Sequence, residues 1–308
     1  MNPNGLRTTL IAPVLLLTLA AGTGWSRFVR PIVRGAEQGC TAQPDAVATF
    51  VDPSLEAAVR GALSLGPAEE LTCRRVSSLA ELTAEDAGIQ DLRGIENLTG
   101  LTELHLDGNA VTDLGPLSGL TSLTMLYLWG GSVNDLGPLR SLEALTVLHI
   151  GNNSVSDISP LGGLGRLRDL SITHNAVTDL GPLSGLTELE VLRVYNNPIS
   201  DIEALRGLTK LTELHIHDLP QLSNIQPLLE NTGLGEGDRV ILMRSDISCA
   251  DAAALQANGV SVSSGCLAGF PIKWWGLLAM IGGVAAALAI TRHRRAQRLQ
   301  SHQGGALR

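Results

Sequence analysis

Residues able to do chemistry recur along this chain at a fixed interval. Asp91, Asp113, Asp135, Asp157, Asp179 and Asp201 stand 22 residues apart. A row of carboxylates raises calcium, but calcium takes about six to eight oxygens gathered at one point, and a single Asp per interval does not gather them. The aspartates are therefore expected to accept backbone N–H bonds at turns. Asn109, Asn153, Asn175 and Asn197 keep the same interval, with Gly131 in the gap. An amide held where the chain leaves a strand can bond backbone groups that the turn leaves unpaired. Histidines raise a metal site, yet no C-x-x-C and no paired-His spacing is present, and His105 and His149 fall two strands apart, about 10 Å, too far to share an ion. The chain carries no G-x-S-x-G, H-E-x-x-H, P-loop or kinase signature, and Gly233–Gly237 (GLGEG) lacks the strand-to-helix setting of a phosphate loop. The expectation is a protein without catalytic residues, metal or cofactor.

The element that must position these residues is a repeat. Leu98–Gly119 reads LTGLTELHLDGNAVTDLGPLSG, Leu120–Ser141 reads LTSLTMLYLWGGSVNDLGPLRS, and the register continues from Leu142, Leu164, Leu186 and Leu208 at a period of 22. The consensus L-x-x-L-x-x-L-x-L-x-x-N-x-V-x-D-L-x-P-L-x-x is a leucine-rich repeat, one strand per unit stacked on its neighbours. The fold class expected is an α/β repeat solenoid: a horseshoe with a parallel β-sheet on its concave face and its leucines turned inward.

Side chains alternate faces along a strand, so three columns are expected to point outward. They are Glu103, Met125, Val147, Asp169, Val191, Glu213; then His105, Tyr127, His149, Ser171, Arg193, His215; then Asp107, Trp129, Gly151, Thr173, Tyr195, His217. Away from the two termini the aromatics are Phe50, Tyr127, Trp129 and Tyr195, and the last three fall on this face with four of the five histidines. Large amphipathic rings on a rigid sheet make a recognition surface, or they lie flat against their strand neighbours. The contact set expected for a partner is Glu103, His105, Asp107, Tyr127, Trp129, His149, Arg193, Tyr195, His215 and His217.

Charge is unevenly spread. All 30 acidic residues lie between Glu37 and Asp251, against 12 basic residues between Gly35 and Pro271, so this stretch carries −18. Such a body repels nucleic acid. Both ends are basic and contain an apolar run. Arg7 and Leu10–Ala21 (LIAPVLLLTLAA), followed by small residues, have the form of a signal peptide within 1–35. Arg27, Arg30 and Arg34 follow it, where positive charge disfavours export, so an uncleaved anchor is the alternative. Residues 272–291, including Trp274–Ile290 (WWGLLAMIGGVAAALAI), are long enough to cross a bilayer. Paired tryptophans at one edge and Arg292, Arg294, Arg295 and Arg298 at the other fit an interfacial anchor and a positive-inside stop. The expected topology is single-pass, with the repeats outside the cell membrane and a basic tail (292–308) in the cytoplasm.

Between the ends, Asp52-Pro53 opens a helix whose apolar stripe is Leu55, Val59 and Leu63 with Ala58 and Ala62, stopped by Gly66-Pro67. It belongs to an N-terminal cap (36–75) over the open end of the core. Repeats fill 76–232, beginning with a degenerate unit in which Ile89, Asp91, Leu92 and Ile95 keep the register, and a C-terminal cap (233–268) follows. That cap is expected to hold a strand around Val240 and Leu242, a helix over Asp251–Ala257 and a strand at Val260–Val262. Cys40 and Cys73 flank the first cap, Cys249 and Cys266 the last. Seven or eight stacked strands place the caps about 30 Å apart, beyond disulfide reach, which leaves Cys40–Cys73 and Cys249–Cys266 and an oxidising compartment.

The 22-residue unit with N-x-V-x-D-L-x-P-L, preceded by FVDPSLEAAVRGAL (Phe50–Leu63), resembles the internalin-type bacterial leucine-rich repeats over about Phe50 to Leu228. The resemblance implies a surface module that binds proteins through its concave face, without naming a ligand. No L-P-x-T-G wall-sorting signal precedes the last apolar run. The function expected is a membrane-anchored cell-surface protein recognising a partner protein. Alternatives are an envelope-polysaccharide binder using the same rings for stacking, and an assembly component of the envelope without a dedicated ligand.

Overall fold

The computed structural model describes residues 32–33, 40 and 44–266. The expected signal segment lies outside these residues, except that Ile32–Val33 form a short strand, β1, paired in parallel with β2 (Val47–Ala48). The expected membrane segment and tail also lie outside them. Among the described residues no helix is long and apolar enough to cross a membrane.

Helix α1 (Pro53–Ala62) begins as its sequence dictates: the Asp52 carboxylate accepts from the backbone N–H of Ser54 (2.8 Å) and Leu55 (3.4 Å), and Pro53 occupies the first turn. Leu55 and Val59 are buried, whereas Ala62, expected on the apolar stripe, is exposed. Ala62 is the helix's last residue: the helix closes at Leu63, which is half-buried, and Ser64 turns left-handed (φ 53°), before the expected stop at Gly66. A single turn, α2 (Cys73–Val76), leads into the repeats.

Nine parallel strands then follow in chain order: β3 (Glu81–Thr83), β4 (Glu103–His105), β5 (Met125–Tyr127), β6 (Val147–His149), β7 (Asp169–Ser171), β8 (Val191–Arg193), β9 (Glu213–His215), β10 (Arg239–Ile241) and β11 (Ser261–Ser263). Each Cα faces the one a repeat away, Glu103 opposite Met125 and Met125 opposite Val147. The irregular unit after β9 lengthens this step, so Glu213 faces Arg239. The D-L-x-P-L stretches return the chain through short 3-10 turns such as Gly137–Ser141 and Ser159–Gly163. Proline at the first turn suits so short an element. The last unit closes with one turn, α3 (Gln226–Leu229), and the C-terminal cap holds α4 (Cys249–Ala257). Helix α4 starts two residues before the expected Asp251 because Ser248 caps it, its hydroxyl accepting from Asp251 N–H at 3.0 Å.

The core is one ladder of leucines. Leu98, Leu101, Leu104, Leu106, Val111, Leu114 and Leu117 are all buried in the first regular unit, and their equivalents continue through the stack. Beneath them the Asn column bonds neighbouring repeats: the Asn153 amide donates to Leu128 O and Ile150 O, and its oxygen accepts from Val133 N–H at 2.9 Å. Each Asp of the other column accepts from the N–H two residues on, as Asp113 does from Gly115 at 2.7 Å. Both columns serve the backbone, as the residue types predict. Both disulfides are formed as expected, Cys40–Cys73 and Cys249–Cys266, with Cα separations of 4.9 and 5.6 Å.

Candidate interaction face

The open face of the sheet carries all ten residues of the expected contact set, and it sorts them into two clusters. The first spans β4 to β6. The His105 and Tyr127 rings are parallel with centroids 4.4 Å apart, and His149 meets Tyr127 edge-on at 4.9 Å. Trp129, just past β5, is 50% exposed. A Cβ on Gly151 would come within 2.7 Å of the indole Cδ1 and 3.1 Å of Nε1, so the ring lies across Gly151 on the neighbouring strand and keeps its other side in solvent. Its backbone is fixed too, since Asp107 accepts from Trp129 N–H at 2.6 Å.

The second cluster sits around β8 and β9. Tyr195 stacks on His217 at 4.2 Å and approaches His215 at 6.5 Å. His174 packs against Tyr195 edge-on at 5.4 Å. Between the clusters the floor is made of small residues, Gly151, Ser171 and Thr173. Ser171 and Thr173 are buried rather than outward contacts. Their short side chains sit beside larger neighbours, with His149 and Arg193 flanking Ser171 on the adjacent strands.

Hydrogen bonds pin most of the polar members. His105 and Glu103 are 2.8 Å apart, His215 and Glu213 2.6 Å, and His217 and Asp218 2.7 Å. Asp169 accepts from both His149 (3.1 Å) and Arg193 (2.8 Å), and Arg193 also reaches Glu213 at 3.5 Å. Burial raises the Asp169 pKa, but His149 and Arg193 outweigh it and hold the carboxyl below its ordinary range. Burial, helped by the charges of Arg193 and His217 and opposed by Glu213, holds His215 below its ordinary value. Burial and then the carboxylates of Glu103, Asp169 and Asp107 push the Tyr127 phenol upward.

The chain matches the family described as Leucine Rich repeats (2 copies) over residues 99–141, 143–186, 165–207 and 187–230. Among solved structures it is similar to internalin C2 (inlC2) of Listeria monocytogenes, with 30% identity and a TM-score of 0.50 over 70% of this chain and 94% of that one. This chain belongs to the internalin-type leucine-rich repeat proteins. A second such structure, internalin inlF of Listeria monocytogenes, shares 26% identity and a TM-score of 0.57 over 71% of this chain and 72% of that one. No curated protein matches it.

Internalin-type proteins are in general protein-binding modules rather than enzymes, and the face fits that description. Among the described residues no group of three or more His, Cys, Asp or Glu side chains is placed to hold a metal ion. Two contributors escape a reading by columns. His174 occupies the position after the third column, where a left-handed residue recurs at Asp86, Gly108, Gly130, Asn152, His174, Asn196 and Asp218. That 22-residue series of mostly Gly, Asn and Asp was available in the sequence. Met243, 42% exposed, extends the third column beyond the irregular unit, where the lengthened step hides it from a fixed period.

Proposed function

We propose that this protein stands on the outer surface of the cell membrane and recognises a partner protein through the open face of its sheet. The observation that carries this reading is Trp129, a half-exposed indole beside the His105–Tyr127 stack on a face whose backbone is fixed by neighbouring repeats. Rigid aromatic side chains lose little entropy on contact and supply much of the energy at protein interfaces. Arg193, His215 and His217 are committed to carboxylates of the same chain, and they contribute shape and orientation more than free charge.

The membrane assignment rests on residues 272–291 with their tryptophan and arginine borders, and the exported compartment on the two disulfides. Full-length protein used to capture ligands from an envelope extract, alongside a glycan panel, tests the face. Trp129→Ala with Tyr127→Ala should abolish capture of a protein; unchanged capture refutes the assignment, and capture of glycans alone moves the ligand class to polysaccharide. Carbonate extraction should leave the full chain in the membrane and release a chain ending at residue 268.

A further inference from the structure

The two aromatic clusters differ in charge. On β3 to β5 and the residues just past them, the outward positions are Glu81, Thr83, Glu85, Glu103, His105, Asp107, Met125, Tyr127 and Trp129. Four are carboxylates and none is Lys or Arg. The equivalent positions on β8 to β10 include Arg193 and Arg239 with one carboxylate, Glu213. Glu81 and Glu85 are exposed; His105 Nδ1 stands 3.8 Å from Glu85 while its Nε2 is taken by Glu103. Trp129 offers an open indole face at the rim of this acidic patch, and Asp107 accepts from its backbone N–H.

Resting on the proposed partner-binding role, we infer that the β3–β5 end of the face receives a basic, arginine-bearing segment of the partner protein, with one guanidinium on the Trp129 indole and further basic side chains of the segment against Glu81, Glu85 and Glu103. Aromatic faces attract cations held within about 6 Å of the ring. Arginine suits this place better than lysine because its planar fork both stacks on a ring and bonds a carboxylate in two places. An apolar or acidic segment would leave the carboxylates desolvated or opposed, which disfavours it.

The test is anisotropy of a labelled arginine–alanine peptide of about ten residues against its glutamate–alanine counterpart, with the full-length protein in nanodiscs of neutral lipid, at about 50 and 500 mM salt. The arginine peptide should bind and weaken with salt, and the glutamate peptide should not bind. Trp129→Ala should weaken binding about tenfold. Glu81→Lys with Glu85→Lys should remove it, while Glu143→Lys with Glu236→Lys, an equal charge change away from the face, should leave it unchanged. Equal loss from both double variants, or no effect of Trp129→Ala, overturns the inference in favour of nonspecific charge. Failure of the arginine peptide to bind overturns it also. If envelope capture still depends on Trp129 and Tyr127 in that case, the face assignment stands; if capture ignores both rings, the proposed function falls on its own.

Discussion

At the scale of residues, Gly151 and Trp129 form a pair split between adjacent repeats. The indole occupies the space where a Cβ on residue 151 would stand, 2.7 Å from its Cδ1. Gly151 does not adopt a positive φ, so alanine is allowed by the backbone and acts only through this contact. Gly151→Ala should therefore tip the indole off the sheet while the core remains intact. Thr173 Oγ1 is also 2.7 Å from that Cβ, but Thr173 is buried whereas the indole is half-exposed and has solvent to move into. Near-UV circular dichroism, compared with Trp129→Phe to isolate this tryptophan, should show a changed indole environment. The melting temperature should fall by no more than a few degrees, as for a methyl group pressed against a half-exposed side chain. Ligand capture should weaken severalfold. An unchanged indole signal would mean that the ring does not rest on Gly151, and the shape of the first cluster would need revision.

At the scale of elements, the stack is joined by side-chain ladders, and between Asn109 and Asn197 one rung is missing. Asn109, Asn153, Asn175 and Asn197 each accept from an N–H of the preceding repeat (Ile89, Val133, Val155 and Val177) and donate to a carbonyl of that repeat and to carbonyls of their own. Gly131 leaves Val111 N–H without that acceptor. Gly131→Asn should supply it, donate to Leu106 O and Leu128 O, and remove backbone freedom from the unfolded chain. The gain should be about 1–2 kcal/mol, or roughly 2–4 °C in melting temperature for each kcal/mol. One contact opposes it, since the new Cβ would lie 2.9 Å from Asn153 Oδ1. A lower melting temperature would show that Asn153 cannot give way. The ladders were legible in the sequence because each side chain serves the backbone of its own turn or of the adjacent repeat, so period and residue type suffice. Contacts between distant columns were not legible. The bond from Asp52 to Gln90 N–H, 2.8 Å and 38 residues apart, and the capture of Arg193 by Asp169 and Glu213 depend on where side chains lean. The burial of Ser171 and Thr173 likewise reflects the bulk of their neighbours rather than strand alternation.

At the scale of the whole repeat body, each unit rests only on its neighbours, so stability is set locally and the ends are the weak points. The two ends are built differently. At the N-terminal end α1 is held by Leu55 and Val59 in the core and by the Asp52 carboxylate, which accepts from four backbone N–H groups, two in the helix and two in the first repeat. Burial raises the Asp52 pKa, but these four donors outweigh it and keep the carboxyl ionised below its ordinary range. The Cys40–Cys73 bridge adds a closed loop with a separation of 33 residues, whereas Cys249–Cys266 closes 17 at the other end. Loop-closure entropy assigns about 4 kcal/mol to the first and about 3 kcal/mol to the second. If the stack transmits stability only between neighbours, Cys40→Ser with Cys73→Ser should expose the amides of β2, α1, α2 and β3 to faster hydrogen exchange and leave β6 and β7 protected. Cys249→Ser with Cys266→Ser should do the same to β10, α4 and β11. The aromatic cluster of β4 to β6 would then survive loss of the C-terminal bridge better than loss of the N-terminal one, because only two strands, β3 and β4, lie between the strand that carries Trp129 and the N-terminal cap. A uniform rise in exchange across all nine strands after either pair of substitutions would instead show that the body unfolds as one unit, and that both bridges support the interaction face equally.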